Sequence, residues 1–389
     1  MNYKETPFGK IPNSWVLSPI SDVTNLVTDY VANGSFAALA ENVKYKDTED
    51  IAVLIRLVDY NNGFKGDFVF IDEHAYSFLS KSKLYGGEII ISNVGANVGT
   101  VFRCPFLPYK MSLAPNSIMV KFKGNDSFYY YWLKSKAGQH MLHSIVTGSA
   151  QPKFNKTNFR DMLVPVPPKK TQDEIVSILQ PIDEKIELSN RINENLEQQA
   201  FALFDSYFPA VSAGENTIGD YITPKRGKNL LSKDAIFGDV PVVAGGLEPS
   251  TYHNTANTSS PVLTISASGA NAGFIRLWHV PVWSSDSSFI DATMTPYVYF
   301  WYVMLKKRQK EIFDSQTGSA QPHIYPQHIA VMPVAELNED DVNGFTEQVT
   351  PLFCMIDANV EENKRLASMR DALLPRLMSG ELDVPDVDP

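Results

Sequence analysis

Two six-residue runs rich in hydroxyl, amide and glycine groups carry the sharpest chemical signal in this sequence. Thr-Gly-Ser-Ala-Gln-Pro occupies 147–152 and recurs at 317–322, followed by Lys153 in the first case and His323 in the second. Ser149, Gln151 and Lys153, and again Ser319, Gln321 and His323, offer donors of the kind that grip phosphate oxygens or orient a loop. They would serve equally well as turns holding a globular part to the next element. A second duplicated pair is Gly95 to Gly99 (GANVG) and Gly269 to Gly273 (GANAG). Such a loop can bring backbone amides close to a phosphate, but it reads more simply as a tight turn needing positive φ. Long cationic side chains able to reach base edges stand at Arg56, Lys65, Arg103 and Lys110, and at Lys225, Arg226, Lys228 and Arg276. The Lys-Arg-Gly-Lys run at 225–228 is the densest of these, although a solvated loop would account for any one of them.

Machinery for making or breaking bonds is missing. There is no Asn/Asp-Pro-Pro-Tyr/Phe methyltransferase motif and no Gly-x-x-x-x-Gly-Lys-Ser/Thr phosphate loop. His140 and His143 stand three apart without a third ligand nearby, so a metal site is not expected. Asp183-Glu184-Lys185 superficially echoes a nuclease tail, but on an amphipathic helix it reads as a solvated face. Aromatic clusters at Tyr129–Trp132 and Tyr299–Tyr302 could stack on bases, yet beside Leu133 and Val303 they read more simply as core anchors. The chemistry on offer is that of binding, not catalysis.

What must position these residues is a duplicated domain. The offset of 170 that relates the two Thr-Gly-Ser-Ala-Gln-Pro runs also relates the two aromatic clusters. The same offset pairs Phe154 with Ile324, Phe159 with Ile329, and Pro181 with Pro351. It continues through Ile182 and Leu352, Ile186 and Ile356, Leu196 and Leu366, and Leu203 and Leu373. Upstream the register drifts to 174 at the glycine turns, as insertions in the first copy would cause. The period is too long for a solenoid. Glu88–Ser92 and Pro261–Ser266 read as buried strands leading into the glycine turns. Each copy then ends in a proline-punctuated edge and a helix. In the first copy Thr171 is the expected N-cap and Glu174 its capping-box acid; the second enters through Asn338 and Asp341. Apolar residues three and four apart mark both helices. Pro181 and Pro351 lack an amide donor, which predicts a short helix before each and a longer one after it. From 182 to 208 the longer one would run roughly 40 Å. Its single apolar stripe must be buried, either on its own globular part or on the matching stripe of the other copy. The second arrangement is the expected one, with Asn190, Asn193, Asn195, Asn359 and Asn363 fixing register.

Length and charge agree with this organisation. The 389 residues are 44% apolar and 20% charged, within the range of folded globular chains. The net charge of −10 would argue against a polyanionic partner if it were evenly spread. It is not: residues 1–170 carry +5, 171–210 carry −6, 211–335 carry 0 and 336–389 carry −9. The acid lies in the helical segments, leaving the globular regions neutral to mildly basic. With only two cysteines, far apart, no disulfide framework is expected; the N-terminus does not read as a signal peptide, and no apolar stretch approaches the roughly 20 residues of a membrane span. A cytoplasmic protein without membrane contact is expected. The expected division is 1–170, a first globular domain; 171–210, a central helical spacer; 211–337, a second globular domain; and 338–389, a C-terminal helical spacer and tail.

The order of these motifs resembles a known family. Thr-Gly-Ser-Ala-Gln-Pro, then Val-Pro-Val-Pro-Pro at 164–168, then a helix opening Gln172-Asp173-Glu174-Ile175 is similar to the recurring junction of Type I restriction-modification specificity subunits. Gly9-Lys10-Ile11-Pro12-Asn13-Ser14-Trp15 resembles the family's opening motif. The second copy departs from the pattern, with Ala335-Glu336-Leu337-Asn338 at the junction and no glutamine matching Gln172. The resemblance implies two duplicated α/β target-recognition domains joined by long helices packed as an antiparallel coiled coil. Each domain would read one half of a split site in double-stranded DNA, and the helices would set the unspecific spacer, since about 40 Å suits one DNA turn of roughly 34 Å. It further implies methyltransferase subunits docked on the helices and bringing S-adenosylmethionine, with ATP-dependent restriction subunits, and ATP with Mg, in the restriction form. The chain itself would bind no cofactor. Two rivals share the repeats: an orphan specificity protein working without a methyltransferase, and a purely structural adaptor binding protein.

Overall fold

The computed structural model describes residues 2–318 and 321–382. It divides into two compact units, Met1–Lys185 with Arg365–Pro389, and Ile186–Lys364. Two long helices, the central Lys169–Tyr207 and the C-terminal Glu339–Met378, each give one part to either unit.

In the first unit an antiparallel sheet runs in the order Thr24–Asp29, Ser117–Phe122, Ile89–Ser92, Val101–Arg103. Its register sets Ile118 opposite Ile91 and Val120 opposite Ile89. These four join Val27 in a core with Phe128, Tyr129 and Trp132 of the helix Asp126–Lys134. Ile90 and Met119, one residue along, face the opposite way into a second core shared with Val53, Ile55, Met111 and Leu113. Those residues belong to a second sheet, Val69–Ile71, Ala52–Ile55, Lys110–Leu113, Lys83–Leu84. Because successive side chains alternate faces, a strand buried on both must be apolar throughout, as Ile89-Ile90-Ile91 is. The aromatic helix is capped by Asn125, whose Oδ1 accepts from the Ser127 amide at 3.0 Å, while its own amide donates to Gln172 Oε1 at 3.0 Å. One side chain of the central helix thus fixes where the aromatic helix begins.

The second unit repeats the plan with fewer strands. Its sheet runs Lys225–Arg226, Ser287–Asp291, Val262–Ser266, Ile275–Trp278. Leu263, Ile265, Ile275 and Ile290 face a core with the aromatic helix Val298–Lys307; Val262, Trp278 and Phe289 face a smaller one. Both aromatic clusters are therefore core anchors, apart from Tyr130, which is half-buried beneath Arg103.

The long helices run antiparallel and bury their stripes against each other and against the globular parts at once. In the first unit Ile175, Val176 and Leu179 share a core with Leu377 and Met378, and Leu373 packs on it. Asp183 accepts from Tyr131 Oη at 2.9 Å and from Arg370 Nη1 at 2.7 Å. In the second unit Phe204 meets Phe345 edge to face at 5.5 Å, inside a core with Ala200, Val349 and Phe353. Leu203, Leu352 and Ile356 pack on that core. Asn359 donates to Asn193 at 2.7 Å and Asn363 to Asn190 at 2.9 Å, numbers rising on one helix as they fall on the other. Ile182 and Leu196 are buried; Ile186 and Leu366 are half-buried.

Three expectations are corrected. Each long helix passes unbroken through its proline instead of starting near it. Pro181 and Pro351 lie on exposed faces, where water can satisfy the carbonyl that loses its amide partner while the buried stripe continues. Thr171 is not the N-cap: the helix begins at Lys169, directly after the Pro167-Pro168 run, and the Gln172 side chain donates back to the Pro167 carbonyl at 3.0 Å. Asp183 is not a solvated residue, being tied to Tyr131 and Arg370, although Glu184 and Lys185 are exposed. Among the described residues no helix is long and apolar enough to cross a membrane, and no group of three or more His, Cys, Asp or Glu is placed to hold a metal.

Phe353→Ala should cost about 3–5 kcal/mol, because it empties a buried aromatic site in the shared core. Leu188→Ala, on the exposed side of the central helix, should stay within about 0.5 kcal/mol. Equilibrium urea unfolding measures both. Equal effects would contradict the burial pattern.

Candidate nucleic-acid interface

The two motifs singled out by their repetition are brought together in each domain by the same main-chain bonds. Gly95 has φ +103° and Gly99 φ +94°; their counterparts Gly269 and Gly273 have +82° and +88°. A Cβ at Gly95 or Gly269 would meet nothing within 4 Å, so the need for glycine there is conformational. The Gly99 amide donates to the Ser92 carbonyl at 2.8 Å and the Gly273 amide to Ser266 at 2.7 Å, closing each turn. The hairpin through the repeated motif is closed by Thr147 and Lys153 exchanging bonds of 2.8 and 2.9 Å, and by Thr317 and His323 at 3.0 and 2.8 Å. It is laced to the glycine turn by Gly95 N to Pro152 O at 2.9 Å and by Gly269 N to Pro322 O at 3.0 Å. The amides of all four glycines are thus spent inside the fold. The glycines of these turns serve to hold the hairpins.

What the hairpins present is side chains. Ser149, Gln151 and Lys153 are exposed in the first domain, as Gln321 is in the second. His323 is half-buried and stacks on Tyr325 at 5.9 Å. Ser319 lies outside the described residues.

Around these matched loops the two domains differ. In the first, Val94 of the glycine turn borders a cleft of about 360 Å³ that includes Tyr45, Arg56 and Asn116. It also borders a neighbouring cleft of about 500 Å³ that includes Phe36, Tyr45, Asn93 and Asn116. Phe36 is 81% exposed and Tyr45 55%, large apolar surfaces that a folded monomer does not need to show. Asn116 sits at φ +67°, and the Asn93 Oδ1 is buried without a hydrogen-bond partner among the described residues. In the second domain the position beside the hairpin holds a polar chain: Ser268 bonds Asp286, which pairs with Arg226 at 2.6 Å. Lys225 and Lys228 are exposed beside it, and Phe237 is 96% exposed.

The other cations are distributed unevenly. Arg56 reaches the cleft, but its guanidinium is held by buried Asp59 at 2.5 Å and by the Asp67 carbonyl at 2.8 Å; the bond to Asp59 raises its pKa further. Lys65 is exposed in a loop where Gly63, Phe64, Gly66 and Asp67 all have positive φ. Arg103 donates to the Gly87 carbonyl and Ser127 Oγ and lies over Tyr130, so its work is structural. Lys110 pairs with Glu73 at 2.8 Å. Arg276 stacks on Trp278 at 4.1 Å, donates to the Leu247 carbonyl and pairs with Glu248. Sequence reasoning missed Phe36, Tyr45, Asn93 and Asn116. Only the position of Asn93, two residues before the glycine turn, could have signalled any of them.

Residues 12–198 match the family model described as the Type I restriction modification DNA specificity domain. The chain is 24% identical over 434 aligned positions to the Type I restriction enzyme MjaIX specificity subunit of Methanocaldococcus jannaschii, covering 99% of this chain and 97% of that protein. It is 32% identical over 114 positions to the HindI specificity subunit of Haemophilus influenzae, covering 28% of this chain and 25% of that one. A solved Type I restriction-modification S subunit from M. genitalium shares the fold, with a TM-score of 0.55 at 19% identity, covering 96% of this chain and 98% of that one.

Gly148, at φ +85°, would bring a Cβ to 2.9 Å from the Gln151 carbonyl. Gly148→Ala should therefore cost about 1–2 kcal/mol locally and speed amide exchange at Lys153. Hydrogen exchange read by NMR checks this, and unchanged protection at Lys153 would show that the hairpin tolerates a side chain there.

Proposed function

The chain belongs to the Type I restriction-modification specificity subunits, non-catalytic DNA target-recognition proteins, and from that premise we propose that each of its domains reads one half of a bipartite site in double-stranded DNA. The observation that carries the reading is the contrast within each domain. The hairpin and glycine turn are built alike twice, while the surfaces beside them differ in shape, charge and residue type. Two readers of different half-sites need one shared way of engaging the phosphate backbone and two separate ways of reading bases. Ser149, Gln151 and Lys153, with Ser319, Gln321 and His323, are assigned the shared task. The clefts holding Tyr45, Arg56 and Asn116, and the edge holding Lys225, Arg226 and Lys228, are assigned the reading. Lys65 extends the first of these surfaces. Arg103, Lys110 and Arg276 are each engaged by neighbouring protein groups and are not assigned to the reading.

The two helices set the unspecific spacer and dock methyltransferase subunits. Their continuity across Pro181 and Pro351, and the paired asparagines between them, suit a part whose length must not vary. S-adenosylmethionine enters with those subunits, and ATP with Mg enters with ATP-dependent restriction subunits where they are present. The site of action on this reading is the cytoplasm.

The full chain, assembled with its methyltransferase subunits, should protect a split site in footprinting. A base-pair change in either half should cost about 1–3 kcal/mol, and a change in the spacer sequence close to nothing. Lys153→Ala should weaken binding to all sequences alike and make log affinity less steep in log salt by roughly 0.9. Binding without sequence preference or salt dependence would favour a protein-binding adaptor.

A further inference from the structure

A groove of about 390 Å³ in the first unit is lined by Lys81, Lys83, Lys121, Lys156 and Arg160, and no carboxylate lines it. Two of these cations are offset from behind: Lys156 by Asp29 at 2.8 Å, and Lys121 by buried Glu88 at 3.3 Å. Three positive charges remain in excess. Lys83 lies over the Tyr76 ring at 4.3 Å, which leaves its charge intact. Arg160 spends one nitrogen on the Val27 carbonyl at 2.8 Å. The Lys81 side chain has no partner among the described residues, yet its main chain is pinned on both sides. Its amide donates to Asn33 Oδ1 at 2.8 Å and its carbonyl accepts from Thr28 Oγ1 at 3.1 Å. An exposed cation on fixed backbone, with the exposed Tyr85 ring in the same groove, is a surface suited to a polyanion.

The groove also continues the candidate interface. Lys156 stands three residues beyond Lys153, a reach of at most about 10 Å. Its partner Asp29 lines the neighbouring cleft of about 500 Å³ that holds Phe36, Tyr45 and Asn93. Cleft and groove therefore meet at the Asp29–Lys156 pair. Three of its five cations have no counterpart in the second domain: at the offset of 170, Lys121, Lys156 and Arg160 become Asp291, Pro326 and Ala330. The three unbalanced cations of the groove contribute to the contrast between the +5 of residues 1–170 and the neutrality of 211–335.

We propose that this groove is a phosphate track, holding the DNA backbone that flanks the half-site read by the first domain and supplying sequence-independent affinity that the second domain lacks. The proposal rests on the DNA-reading assignment above. The test is fluorescence anisotropy of the full chain on a duplex bearing its site and on a scrambled duplex, from about 50 to 200 mM salt. The Lys81→Ala/Lys83→Ala variant should bind both duplexes less tightly by the same factor, and the slope of log affinity on log salt should become shallower by roughly 1.8. Lys10→Ala/Lys136→Ala, which removes equal charge elsewhere on the first domain, should leave the slope unchanged. Lys81→Gln alone, altering a side chain with no hydrogen-bond or ion-pair partner among the described residues, should give about half the effect and serves if the double variant folds poorly. A wild-type slope that Lys81→Gln and the double variant both keep, or an equal loss in the control, overturns the track while leaving the DNA reading standing. A wild-type chain with no salt slope overturns both.

Discussion

Burial of two apolar stripes on antiparallel helices is the constraint on which the rest of this protein depends. Neither long helix could persist in water on propensity alone with its stripe exposed. Each stripe is covered twice, by the partner helix and by a globular domain, and the contacts in the two units are of different kinds. Arg370, Asp183 and Tyr131 form a charged bridge in one, and Phe204, Phe345 and Phe353 an aromatic cluster in the other. The globular parts in turn rely on the helices: Gln172 holds the residue that caps the first aromatic helix, and Tyr302 donates to Glu197 in the second unit.

The gene-level repeat survives in atomic detail within the helix pair. At the offset of 170, Ser189 corresponds to Asn359 and Asn193 to Asn363. Asn193 and Asn359 are bonded to each other, so the symmetry-related pair is Ser189 with Asn363. The Ser189 hydroxyl and the Asn363 Oδ1 are both buried without partners among the described residues. Polar groups at such positions specify register more than they add stability.

Much of the architecture was legible because it rests on periodicity. The runs Ile89–Ser92 and Val262–Ser266 are strands, the aromatic clusters are helices buried in the core, and Asn338 does accept from the amides of Asp340 and Asp341 at the start of the C-terminal helix. The prolines misled because sequence shows the lost hydrogen bond but not whether water can reach the orphaned carbonyl. Thr171 misled because the helix starts two residues earlier, at Lys169 directly after Pro167-Pro168, which leaves Thr171 inside the first turn. Individual cations were the least legible. Whether Arg56 or Lys81 is available is decided by Asp59 in one case and, in the other, by the lack of a bonded partner among the described residues, and neither follows from local sequence. The basic groove gathers residues from 81 to 160, a juxtaposition made by the sheets.

The lacing between glycine turn and hairpin consists almost wholly of amide-to-carbonyl bonds. A support of that kind asks nothing of neighbouring side chains beyond a few glycines. Substitutions in the clefts beside it can accumulate without loosening what they are mounted on. A reader mounted this way can change what it recognises in small steps, each leaving a folded and correctly presented surface for the next.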